Sequence, residues 1–216
     1  MSGVRAFVRD GRGASAAEFA LVLPLLLLFL LGTIDAGRYI WTVNQAEKAT
    51  QIGARWAVAT QLIPGGDSAN GLLDYNFIAD GVETGAPVGT AYFKRATCQT
   101  SGATLSCTCE SEGGGTCNFT YAATSAASKT AWASLVARMQ QIDPALTAAN
   151  VRIDYDNAGL GYAGDPNGAD VAPLVTVSLR NLRFQPMTLL LFKGSLPVPS
   201  ASYSLTLEDG QGSDSN

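Results

Sequence analysis

Sixteen consecutive residues, Phe19 to Ile34, carry no charge, and twelve of them are Leu, Ile, Val or Phe. Such a run needs lipid or a protein core around it. As a helix it extends ~24 Å at 1.5 Å per residue, short of the ~30 Å hydrocarbon core of a bilayer. Counting back through Ala14, Ser15, Ala16 and Ala17 completes a span, and Glu18 then lies inside it. Large apolar residues in that number favour insertion by about −4 to −7 kcal/mol, and a carboxylate at mid-membrane opposes it by about 3 kcal/mol, less near an end. The hydrophobic contribution wins, so residues 14–35 are expected to cross a membrane. Arg5, Arg9 and Arg12 precede the run, whereas the far flank is mixed, with Asp35, Arg38, Glu47 and Lys48. The excess of positive charge before the run places the N-terminus in the cytoplasm and the bulk of the chain outside.

Composition then narrows the chemistry. The chain has no histidine, which excludes Ser-His-Asp and Cys-His catalysis, histidine general bases and His-ligated metal sites. Its formal net charge of −4 argues against non-specific nucleic-acid binding, which needs a basic footprint. No enzyme activity and no cofactor are expected. Two plain readings of the N-terminus compete with a specialised one. A cleaved secretory signal would share the basic leader, but Gly32-Thr33-Ile34-Asp35-Ala36 has Ile where a small residue is wanted. An uncleaved signal anchor, on an unrelated periplasmic domain or on a membrane-anchored scaffold or binding protein of the cell envelope, is the other.

The specialised reading rests on the residues before the run. Arg12-Gly13-Ala14-Ser15-Ala16-Ala17-Glu18-Phe19 is a basic leader, a glycine, four small residues, a carboxylate and an aromatic. This resembles the processing site of type IV prepilins, in the variant of the tight-adherence (Tad) system. With Pro24 and the leucine run that follow, the segment is similar to the N-terminus of TadE-like pseudopilins. The likeness covers roughly the first 60 residues, and more loosely Val151 to Leu207. It implies cleavage by prepilin peptidase between Gly13 and Ala14, and a subunit held in the bacterial inner membrane for use in a pilus. Other pilins or pseudopilins of the system, the peptidase and membrane lipid are the implied partners.

Physical chemistry gives Glu18 a role in that setting. A buried carboxylate is costly unless paired. Cleavage would create a new amine on Ala14, and the Glu18 of one subunit can meet the amine of its neighbour only in one axial register. Phe19 stands beside it. Pro24 removes the hydrogen bond to the Ala20 carbonyl and is expected to kink the helix.

The helical pattern continues past the membrane. Trp41, Ile52, Trp56, Ala59 and Ile63 fall near one face, and no proline intervenes before Pro64-Gly65-Gly66. A single helix is therefore expected over Ala14–Ile63, its outer part lying against a head. Trp41 and Tyr39 also suit the aromatic belt at a membrane surface. Ala126 to Ile142 reads as a second amphipathic helix with Trp132, Leu135, Val136, Met139 and Ile142 on its core face. Three alternating segments, at Val151–Tyr155, Val175–Leu179 and Tyr203–Leu207, predict an antiparallel meander. The fold class is α+β: a pilin-like transmembrane and stem helix, then a small head. The expected divisions are a leader at 1–13, the span at 14–35, the stem at 36–63, a head at 67–207 and a polar tail at 208–216.

The head carries the only four cysteines, Cys98, Cys107, Cys109 and Cys117, in a glycine-rich stretch that suggests a hairpin turning at Gly113–Gly115. An even number in an exported chain favours disulfides. Cys107 and Cys109 are too close to pair readily, so either Cys98–Cys107 with Cys109–Cys117 or Cys98–Cys109 with Cys107–Cys117 remains. A four-thiolate zinc site lacks the usual C-x-x-C spacing. The carboxylates at Asp154, Asp156, Asp165 and Asp170 do not match an EF-hand loop and read as a solvated segment; use of Asp154 and Asp156 in hydrolysis lacks any nucleophile motif. Met187 to Phe192 is a second apolar run, too short to span and suited to a core or interface.

Overall fold

The computed structural model describes residues 14–110, 116–189 and 194–207, with side chains from Ala16 onward. The leader with Gly13, the Ala14 side chain, the Gly113–Gly115 turn, Leu190–Phe192 and the tail from Glu208 lie outside the described residues. The remainder is α+β, with a long apolar N-terminal helix followed by a second helix and an antiparallel sheet.

Helix α1 covers Ala14–Ala59 and contains Pro24. It ends four residues before the expected Ile63. The chain has already left the helix at Thr60, whose hydroxyl donates to the Trp56 carbonyl at 2.7 Å, and the Ile63 amide donates to the Tyr155 hydroxyl at 3.3 Å, before Gly65 and Gly66 turn the chain with positive φ of 76° and 56°. The chain divides into two compact units. One combines α1 up to Thr42 with Arg183–Pro197. The other runs from Val43 to Leu182 and resumes at Val198.

In the larger unit, five strands form one antiparallel sheet: β1 (Ala96–Ser101), β2 (Thr104–Cys109), β3 (Val151–Asp156), β4 (Leu174–Leu179) and β7 (Ala201–Thr206), in the order β2-β1-β3-β4-β7. The three expected strands are present, and β3, β4 and β7 are neighbours in chain order. The two added strands change the meander: β1 pairs with both β2 and β3, so the chain crosses from the β2 edge past β1 to enter β3. Helix α2 (Ala126–Gln140) lies within that crossover, and its first turn is capped by the Ser125 hydroxyl, which accepts the Ser128 amide at 3.0 Å. Trp132, Leu135, Val136 and Met139 are buried along it, as their spacing required; Ile142 sits just beyond its end and is half-buried.

Alternation governs the sheet. Val151, Ile153 and Tyr155 of β3 are buried with Val175, Val177 and Leu179 of β4, while Arg152, Asp154 and Asp156 occupy the other face. The buried face packs on helix, and here the expected contact surface of α1 needs correction. Trp41 is 64% exposed, Ile52 and Ala59 are half-buried, Trp56 is half-buried against the core, and Ile63, beyond the helix end, is buried as expected. The buried stripe is Ala46, Ala49, Thr50, Gly53, Ala54, Ala57 and Val58, at i, i+3, i+4, i+7, i+8, i+11 and i+12. Small residues win because the backbones approach closely: a Cβ on Gly53 would stand 2.9 Å from the Met139 sulfur and 3.3 Å from Val177 Cγ1. Hydrophobic size marks a helical face only where neighbours leave room for it.

In the smaller unit, β5 (Arg183–Phe184) and β6 (Leu196–Pro197) pair as a two-stranded ribbon. It is held to α1 by a hydrogen bond from the Tyr39 hydroxyl to the Pro197 carbonyl at 3.2 Å and by an edge-on contact between the Tyr39 and Phe184 rings.

Candidate functional site

The apolar segment of α1 is uncovered. Phe19, Leu21, Val22, Leu25, Leu26, Leu28, Phe29 and Ile34 are exposed, and the most apolar window has a mean hydropathy of 2.3 with none of it buried. An exposed apolar surface of this extent marks a membrane or protein contact. Glu18 is exposed at the start of this surface with Phe19 beside it, so neither meets a partner from this chain's own core.

One residue past the run the environment changes. Asp35 is buried, and its carboxylate accepts the backbone amides of Met187 at 2.8 Å and Thr188 at 2.9 Å, together with the Thr188 hydroxyl at 2.9 Å. Arg38, one turn on, approaches the same carboxylate at 3.1 Å and lies over the Phe184 ring at 5.2 Å. In the sequence Asp35 reads only as one charge in a mixed flank. Its partners are backbone groups 152 and 153 positions away, which no spacing rule can reach.

The cysteines resolve into Cys98–Cys107 and Cys109–Cys117. A two-residue turn at Gly102-Ala103 makes this pairing: Gly102 takes φ 61°, Ser101 pairs with Thr104, and that register sets Cys98 directly opposite Cys107. The Gly113–Gly115 turn lies outside the described residues, and its flanks Cys109 and Cys117 are joined by the second disulfide with their Cα atoms 6.0 Å apart. Cys109 pairs with Ala96, and Cys117 bridges to Phe93, so both flanks add to the same preceding segment. The Ser101-Gly102 dipeptide is the signal that would have located the turn.

The carboxylates are structural rather than convergent. Asp156 receives two hydrogen bonds from Arg95, at 2.7 and 2.9 Å, and Asp154 is held by Arg152 at 2.8 Å and by the Thr97 hydroxyl. The Asp156 hydrogen bond holds the Arg95 guanidinium above its ordinary range. Asp170, expected in a solvated segment, is buried and accepts the amides of Phe77, Gly164 and Asp165. No group of three or more metal-ligating side chains occurs among the described residues. A groove of about 400 Å³ lies between the β1–β2 turn and α2, lined by Thr100, Leu105, Lys129 and Trp132, with no carboxylate or thiol in it.

A family model described as TadE-like protein matches residues 13–55. The N-terminal segment is similar to TadE-like proteins over these residues. The match begins at the glycine of the expected processing site and ends within the buried small-residue stripe of α1. The looser likeness read at Val151–Leu207 falls outside it. Nothing among curated proteins or solved structures matches the chain. The TadE-like segment therefore comprises the exposed apolar surface, Glu18 and Asp35, while the disulfide-bonded sheet lies beyond it.

Proposed function

We propose that this protein is a minor pilin or pseudopilin of a Tad-type pilus and acts by assembly rather than catalysis. The observation that carries the reading is a TadE-like match laid over an uncovered apolar helix that begins just after Gly13. In this reading residues 14–35 span the bacterial inner membrane, the N-terminus is cytoplasmic and the head is periplasmic. Prepilin peptidase removes residues 1–13. The new Ala14 amine of one subunit then meets Glu18 of a neighbouring pilin, and the leucine-rich surfaces pack against each other or against lipid. Phe19 contributes to that packing, and Pro24 adjusts the path of the helix within it.

N-terminal sequencing of the protein from its membrane tests the processing step. A mature chain starting at Ala14, with Gly13→Ala blocking the size shift, supports the reading. An intact Met1 in piliated cells contradicts it and favours an uncleaved anchor for a periplasmic scaffold. Glu18→Ala tests the register role separately: membrane insertion should persist while pilus assembly fails. Normal piliation would remove Glu18 from the mechanism.

A further inference from the structure

The ribbon bearing Arg183–Pro197 is tied to a definite level of helix α1. Its Met187 and Thr188 amides bind the Asp35 carboxylate, so this turn stands beside the first residue after Ile34, the last of the apolar run. The run itself covers ~24 Å of a ~30 Å hydrocarbon core. Whichever end makes up the difference, Asp35 falls at or inside the outer boundary of the lipid. A hydrated carboxylate there would be costly, and this one is sheltered by two amides, a hydroxyl and Arg38. Around it the surface is apolar: Ile40 and Trp41 on the helix are exposed, and on the ribbon Met187 is 48% and Leu196 43% exposed. This collar continues the apolar surface of the span. Arg38 is paired with Asp35, and Arg183 at the base of the ribbon donates to the Ser195 hydroxyl at 3.2 Å.

We propose that the described parts of this ribbon, residues 183–189 and 194–197, form a second membrane contact, seated in the outer-leaflet boundary beside the span, with Met187 and Leu196 in the acyl region and the Asp35 cluster shielded beneath them. The partner is the lipid surface. The ribbon would set how far the helix protrudes, since the span alone has few fixed marks along its axis. The inference rests on the membrane-spanning reading of residues 14–35, and its test separates the two.

The full chain, with its native cystines oxidised, would carry a fluorophore at Met187→Cys, Leu196→Cys or Leu26→Cys in phosphatidylethanolamine–phosphatidylglycerol vesicles. Lipids bearing a nitroxide either shallow or deep in the acyl chain then act as quenchers. Shallow nitroxides should lower emission at 187 and 196 by at least about twofold and more than deep ones, while deep nitroxides should quench position 26. If position 26 is quenched and either 187 or 196 stays at the level of nitroxide-free vesicles, the ribbon contact is overturned and the span stands. If position 26 is not quenched, the span reading fails and takes the ribbon contact with it.

Discussion

A carboxylate next to a long apolar run is ordinarily left to water, yet Asp35 is buried against the Met187 and Thr188 amides. Removing it would leave two amides without an acceptor. Asp35→Ala should therefore accelerate hydrogen exchange at the Met187 and Thr188 amides at least about tenfold while leaving the β4 amides unchanged. Equal exchange in both proteins would mean that the ribbon is held by the Tyr39 hydrogen bond and ring contact without Asp35. Tyr155 offers a titration. It is fully buried, its hydroxyl accepts the Ile63 amide at 3.3 Å, and burial pushes the phenol above its ordinary value of 10.0. The unfolded chain then releases this proton at a lower pH than the folded one. Stability is intact below pH ~10 and should fall above it by up to about 1.4 kcal/mol per pH unit from this group. Tyr155→Phe should flatten that alkaline slope in denaturant titrations.

At the scale of elements, the part of α1 beyond Thr42 is built for close approach. Ala46, Ala49, Gly53 and Ala57 face the core, whereas Trp41 does not. Gly53→Leu should destabilise the head by about 1–3 kcal/mol, because Met139 is fully buried and has nowhere to retreat. Trp41→Ala should change it by no more than about 0.5 kcal/mol. Thermal unfolding followed by near-ultraviolet circular dichroism distinguishes the two. A larger loss from Trp41→Ala would restore the face suggested by hydrophobic size. The β1–β2 hairpin makes a second point at this scale. Its alternation is weak, with Thr, Ser and Gln among the outward positions, and its register comes from one glycine turn rather than from a hydrophobic pattern.

For the whole molecule, the sheet edge at β2 is fastened by covalent bonds. The Cys98–Cys107 link has a sequence separation of 9, so joint replacement of both residues by alanine should cost about 2–3 kcal/mol on the chain-entropy account. Urea unfolding of the variant against the oxidised parent measures this; an unchanged midpoint would mean that the hairpin register is secured by β3 alone. Membrane insertion should be indifferent to the same change, since the uncovered helix carries that property within its own sequence.

The apolar run, the TadE-like segment at residues 13–55, helix α2 and strands β3, β4 and β7 were all legible along the chain. Each is specified by neighbours within a few residues: a period of 3.6 or 2, a glycine, a run of leucine. The small-residue face of α1, the cystine pairing, the burial of Asp170 and the shelter around Asp35 were not. They depend on backbone groups and steric gaps supplied from distant parts of the chain, and local periodicity holds no record of those distances. Sequence alone determined that one end of this protein is a helix long and apolar enough to cross a membrane, because hydrophobicity is additive along a helix. Only the tertiary structure decided what lies beside that end, because a hydrogen bond to a backbone amide requires position and no particular side chain.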